Sequence, residues 1–205
     1  MAGAFVGAGS AFLLESANRR SQEKQRHIES TNVALHVLIE YYSELDNYKR
    51  QVIQPMLERR ENIVPPTNPN SIPRQPIDFN SLSFIAASKD SDVVHELVIA
   101  VRKFEQVMQS IQHFSHIHIY ELQPKMDKLK IVAGTSASRE EAEAVAGRDV
   151  FARLESLNTY ILENVDDTMS SLKTAMERLR GAARNRYKKA SFVSLSTKDG
   201  QVDRL

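Results

Sequence analysis

Residues 150–183, VFARLESLNTYILENVDDTMSSLKTAMERLRGAA, place apolar or small side chains at Val150, Leu154, Leu157, Ile161, Val165, Thr168, Leu172, Met176, Leu179 and Ala183. Every step is three or four residues, the spacing that stacks side chains along one helix face. The stretch predicts a long amphipathic helix. Ser138 followed by Glu141 fits a capping box upstream, and Gly147 is expected to split off a short first helix.

The same spacing recurs twice toward the N-terminus. Ile28, Leu35, Leu38, Tyr42, Leu45, Val52 and Met56 form one seam, weakened by Thr31 and Lys49. Pro55 is expected to kink or end that helix near Gln51, because its ring clashes with the preceding turn. Val94, Leu97, Val101, Phe104, Met108, Ile111, Phe114, Leu122, Met126 and Leu129 form the other, with Pro124 bending its end. Between them, residues 64–78, VPPTNPNSIPRQPID, hold five of the seven prolines and read as a stiff connector. Asn80 caps a turn or two, and Asp90 or Ser91 caps the helix that follows. Residues 131–138 form the next loop, Phe192–Leu195 alternate like a short strand or packed tail, and the last ten residues read as frayed.

The fold class is therefore all-α: an elongated antiparallel bundle of three long helices plus short ones, with an N-terminal apolar helix continuous with the first. Short connections between neighbouring helices would enforce the up-down order. The domain reading is an apolar segment over 1–15, a bundle over 16–190 and a tail over 191–205.

Composition narrows the function classes. The chain of 205 residues has 27 Lys and Arg against 26 Asp and Glu, which argues against a general nucleic-acid binder. It has no cysteine, which removes disulfides, thiol catalysis and Cys-based zinc sites. No phosphate-loop, dinucleotide, nucleophile-elbow, zincin or EF-hand pattern occurs. No enzyme activity and no cofactor are expected.

The first 14 residues, MAGAFVGAGSAFLL, carry no charge; Arg19, Arg20, Lys24 and Arg26 follow. An apolar run followed by basic residues is the pattern of a membrane helix emerging on the cytoplasmic side. Fourteen residues rise only about 21 Å, against a hydrocarbon core of roughly 30 Å. A full span would need the polar residues that follow, a thinned bilayer or further residues upstream. Gly3, Gly7 and Ala11 put small residues on one helix face, where two helices in lipid approach closely.

Among polar clusters, Arg178, Arg180, Arg184, Arg186, Lys188 and Lys189 form a basic patch for an anionic partner, or a helix end complementing its dipole. Glu163, Asp166 and Asp167 read as an acidic face opposite Lys or Arg of a neighbouring helix. His113 and His116 could share a metal, but the Glu-x-x-His pairs of a bundle di-iron site are missing, so no metal site is assigned. His118 lies on the apolar seam, where its protonation would tune packing.

The segments GAFVGAGSAFLLE, NRRSQEKQRHIESTNVALHVLIEYYSELDNYK and SLNTYILENVDDTMSSLKTAMERLR together resemble uncharacterised bacterial proteins with one N-terminal membrane helix and a cytoplasmic helical domain. The resemblance implies a bacterial inner-membrane protein with its bundle in the cytoplasm, and it transfers no catalytic residue. The expected function is a membrane-anchored scaffold or protein-interaction module. Its expected partners are membrane lipids, a second copy of itself and an unknown protein, with no nucleic acid. A pore formed by helix self-association is a second reading, and a soluble bundle enzyme with a metal near His113 and His116 a third.

Overall fold

The computed structural model describes residues 2–67, 75–128, 139–195 and 202–203, with side-chain surroundings from Leu14 onward. The protein is all-α. Its helices are α1 (Ala2–Tyr48), α2 (Gln54–Glu58), α3 (Ser83–Ala86), α4 (Ser91–His116), α5 (Gln123–Lys128), α6 (Arg139–Ala146) and α7 (Arg148–Arg186). A wider π-turn at Lys49–Ile53 joins α1 to α2, and another at Ile117–Leu122 joins α4 to α5. A 3₁₀ turn, Phe79–Leu82, leads into α3. Among the described residues the strand content is one antiparallel pair, β1 (Ser194–Leu195) with β2 (Val202–Asp203). The capping box at Ser138, the loop 131–138 and, apart from β2, the frayed C-terminus lie outside the described residues.

Both π-turns sit just ahead of a proline. The Gln54 N–H reaches Lys49 O, and the Gln123 N–H reaches His118 O, each one residue further back than in an α-helix. Proline lacks an N–H and crowds the carbonyl four residues earlier. Widening the turn ahead of Pro55 and Pro124 relieves that crowding and lets the helix continue. Pro55 thus does not end the first helix near Gln51; α2 runs on to Glu58. It stops at Arg60, whose φ is 58°. There the Arg60 N–H bonds Leu57 O and the Glu61 N–H bonds Met56 O, both at 3.0 Å. Those two bonds make a Schellman cap with arginine in the position that favours glycine. Gly147, with φ 83°, separates α6 from α7 as expected.

The chain forms two compact units, and α1, α4 and α7 each contribute a segment to both. One unit comprises residues 40–75 and 98–174. Its core holds Leu45, Met56, Phe104, Phe114 and Ile161, with Tyr41 stacked on Phe104 at 4.1 Å between ring centres. Asp166 accepts from Lys49 and Asp167 from Lys103, both at 2.7 Å, so the acidic face of α7 meets a lysine from each of two segments. Further back along α7, Asn158 meets Asn62 and Val64, and Arg153 meets Glu121. As residue numbers fall along α7, they rise along both partners. In this unit the α1 and α4 segments both run opposite to α7 and are therefore parallel to each other, which corrects the expectation of strict up-down alternation.

The connector makes that topology physically feasible. A polyproline-like segment advances about 3.1 Å per residue, about twice the α-helical rise, so it can retrace a helix in half as many residues. At its described ends, buried side chains of the helices partner its backbone. The Val64 N–H donates to Asn158 Oδ1 at 2.9 Å, Asn158 Nδ2 donates to Asn62 O at 2.8 Å, and the Thr67 N–H donates to Ser115 Oγ at 3.1 Å. Tyr41 Oη donates to Gln75 O at 3.3 Å. The third seam shifts accordingly: Asn158 is buried, while its neighbour Leu157 is only half-buried.

The other unit comprises residues 1–39, 76–97 and 175–205. Leu35, Leu38, Leu82, Leu97, Leu179 and Phe192 are among its core residues. Thr31, the polar break in the first seam, is fully buried and donates to His27 O at 2.8 Å, the back-bond a mid-helix threonine favours.

Candidate functional site

The polar features of the sequence converge where α1 meets the end of α7. His27 lies flat on Phe84, with ring centres 4.0 Å apart and planes within 8°. Its Nδ1 is 2.6 Å from the Tyr187 hydroxyl, which stands one residue past α7. Arg186 Nη1 donates to Phe84 O at 3.1 Å, and its guanidinium lies 5.6 Å from the Phe84 ring centre and 5.9 Å from that of Tyr187. Burial lowers the pKa of His27, and Arg186 and Arg26 add to that against the opposing pull of Glu23.

Just beyond, Asn32 brackets the returning chain. Asn32 Oδ1 accepts from the Val193 N–H at 3.1 Å, and Asn32 Nδ2 approaches Ser191 O at 3.4 Å. Phe192 and Val193 are buried beside this bracket, so Tyr187 and residues 191–193 fasten the chain to α1 at two points about 140° apart around the helix.

The basic residues divide into two groups. Arg178 pairs with Asp92 and Glu96, and its guanidinium holds the Asp92 carboxyl below the usual carboxylate range. Arg186 is committed to Phe84, and Arg19 pairs with Glu15 at 2.5 Å. Arg180 is half-buried with its Nε unpartnered among the described residues, and burial together with Arg184 lowers its pKa. Arg20, Lys24, Arg26, Arg184, Lys188 and Lys189 are all exposed. Among the described residues no carboxylate pairs with any of these six. Within the patch read over 178–189, Arg178 and Arg186 therefore make contacts inside the fold, while Arg184, Lys188 and Lys189 make none with a carboxylate among the described residues.

The side chains of Gly3, Gly7 and Ala11 lie outside the described residues. His113 and His116 are exposed, and among the described residues no group of three His, Asp or Glu side chains is placed to hold a metal ion. His118 is half-buried within the second π-turn, its ring centre 6.1 Å from that of Phe114 and its Nδ1 without a partner among the described residues, and burial lowers its pKa.

His27, Asn32, Phe84 and Tyr187 escape a reading by sequence. They are single residues far apart in the chain, and only their pairing gives them a role. No helix among the described residues is long and apolar enough to cross a membrane. Comparison of the chain with protein-family models, with curated proteins and with solved structures finds no match.

Proposed function

We propose that the protein is a membrane-anchored helical scaffold of the bacterial inner membrane, with its bundle on the cytoplasmic side. The observation that carries this reading is the step from fourteen uncharged residues to Arg19, Arg20, Lys24 and Arg26. Leu14, the last residue of the apolar run, is 71% exposed, which fits a segment whose apolar surface is covered by lipid. The run begins α1, so anchor and scaffold share one rod in this reading.

The fourteen residues are short of a full span by about 9 Å. Attachment does not require a span, because an apolar helix end can embed in one leaflet with basic residues at the headgroups. The row of Gly3, Gly7 and Ala11 supports self-association of two such helices.

Fractionation of cells expressing the full chain tests the reading. The expected result is recovery with carbonate-washed membranes, lost on Phe5→Asp with Phe12→Asp; a full-length chain found in the soluble fraction overturns it. The absence of cysteine makes Ala2→Cys a clean label for topology. Labelling by a membrane-impermeant thiol reagent from outside the inner membrane marks a span, and protection marks embedding.

A further inference from the structure

We infer that two basic clusters from opposite ends of the chain form one docking surface for the phosphates of an anionic bilayer. The surface comprises Arg20 and Lys24 of α1 with Arg184, Lys188 and Lys189 at the end of α7; Arg26, about 160° around α1 from Lys24, is not part of it. The inference rests on the membrane-attachment reading above and identifies the lipid class it contacts.

The juxtaposition comes from named contacts within one compact unit. Tyr187 touches His27, and Ser191 and Val193 touch Asn32. Lys188 and Lys189 lie between those attachment points and are held close to α1. Around α1, Lys24 and Arg20 fall about 60° and 20° from His27, at 100° per residue. They precede it by about 4.5 and 10.5 Å. The face of α1 that receives Tyr187, which also carries Glu23 at 4.0 Å from His27, therefore continues toward the N-terminus with Lys24 and Arg20, past the point where α7 stops.

Charge and exposure agree with this assignment. Over residues 15–29 and 184–195 there are eight Lys and Arg against three Glu. The five residues of the proposed surface have no carboxylate partner among the described residues, so they are not already used inside the fold. Continuity selects the occupant. The same α1 carries this basic face and, six residues upstream of Arg20, ends its uncharged apolar run at Leu14. A surface next to a lipid-embedded segment meets headgroups, and clustered Lys and Arg beside a membrane helix bind anionic lipid.

The test is flotation of the full chain with vesicles of phosphatidylcholine alone and of phosphatidylcholine with 30% phosphatidylglycerol. Binding is expected to be stronger to the anionic vesicles and to weaken with added salt. Arg184→Gln/Lys188→Gln/Lys189→Gln should lower anionic-vesicle binding on the order of a hundredfold, and Arg20→Gln/Lys24→Gln about thirtyfold. Binding to neutral vesicles should stay unchanged. All five side chains are exposed, so unchanged helical circular dichroism is expected for both variants.

Equal binding to the two vesicle types overturns this inference while leaving membrane attachment standing. Binding to neither overturns the attachment reading as well. Loss in the α1 variant alone overturns the shared surface. Binding to a DNA or RNA duplex that both variants abolish, without vesicle binding, overturns lipid as the occupant.

Discussion

Arg60 holds a left-handed backbone at φ 58° to close α2, a conformation that costs an L-residue roughly 1–2 kcal/mol and glycine little. Arg60→Gly is expected to stabilise the protein by about 0.5–1 kcal/mol, net of the greater freedom glycine gains when unfolded. The urea midpoint should rise with an unchanged slope. Asn158 works in the opposite sense, satisfying the Val64 N–H and the Asn62 carbonyl at once. Asn158→Ala strands the buried Val64 N–H and removes the partner of the Asn62 carbonyl, and the expected loss is about 1–3 kcal/mol in the same titration. Neither residue signals its role locally. Arg60 sits in a charged stretch, and Asn158 interrupts an apolar seam where a leucine one position earlier fits the heptad as well.

At the level of elements, the three long amphipathic segments were legible because helical periodicity is a local property. Leu35, Leu38 and Leu45, then Leu97, Val101 and Phe104, then Leu154, Ile161 and Leu172, are buried as their spacing predicts. The order of the helices was not legible. Prolines in 64–78 announce a break, but their sequence does not say whether the chain turns back at once or travels first. Asn158, Ser115 and Tyr41, each on a different helix, hold the travelling chain. Replacing residues 64–78 with a four-residue turn, enough for antiparallel neighbours, cannot join parallel ones. The expected outcome is loss of the monomeric fold, seen as aggregation or exchange between chains by size-exclusion chromatography. A monomer of wild-type stability would refute the parallel arrangement.

Across the whole molecule, two histidines couple stability to acid. His27 in one unit and His118 in the other both have pKa values lowered below 6.5, in each case mainly by burial. The unfolded chain takes up protons at these sites first as pH falls. Their contribution is therefore fully present above about pH 6.5 and is lost as pH drops through the lowered folded values. The denaturation midpoint is expected to fall between about pH 7 and 5. His118→Phe should flatten part of that dependence, and a midpoint that rises on acidification would contradict the sign.

The two basic clusters show where local information ended. Both were visible as runs of Lys and Arg. Charge counting alone treated Arg178 and Arg186 as equivalent to Arg184 and Lys188, although the first two bind Asp92, Glu96 and Phe84 inside the fold. By itself the sequence determined what nearest neighbours along a helix determine: the all-α class, the three amphipathic stripes, the proline-rich break, and the uncharged start with its basic step. Only the tertiary structure decided the parallel course of the α1 and α4 segments in one unit, and which arginines are occupied and which free. It also decided that Tyr187 meets His27, bringing Lys188 and Lys189 close to α1. The physical reason is reach. Periodicity acts over a turn or two, whereas these features depend on contacts between residues up to 160 positions apart, whose pairing is set by how the connector and the helix ends pack.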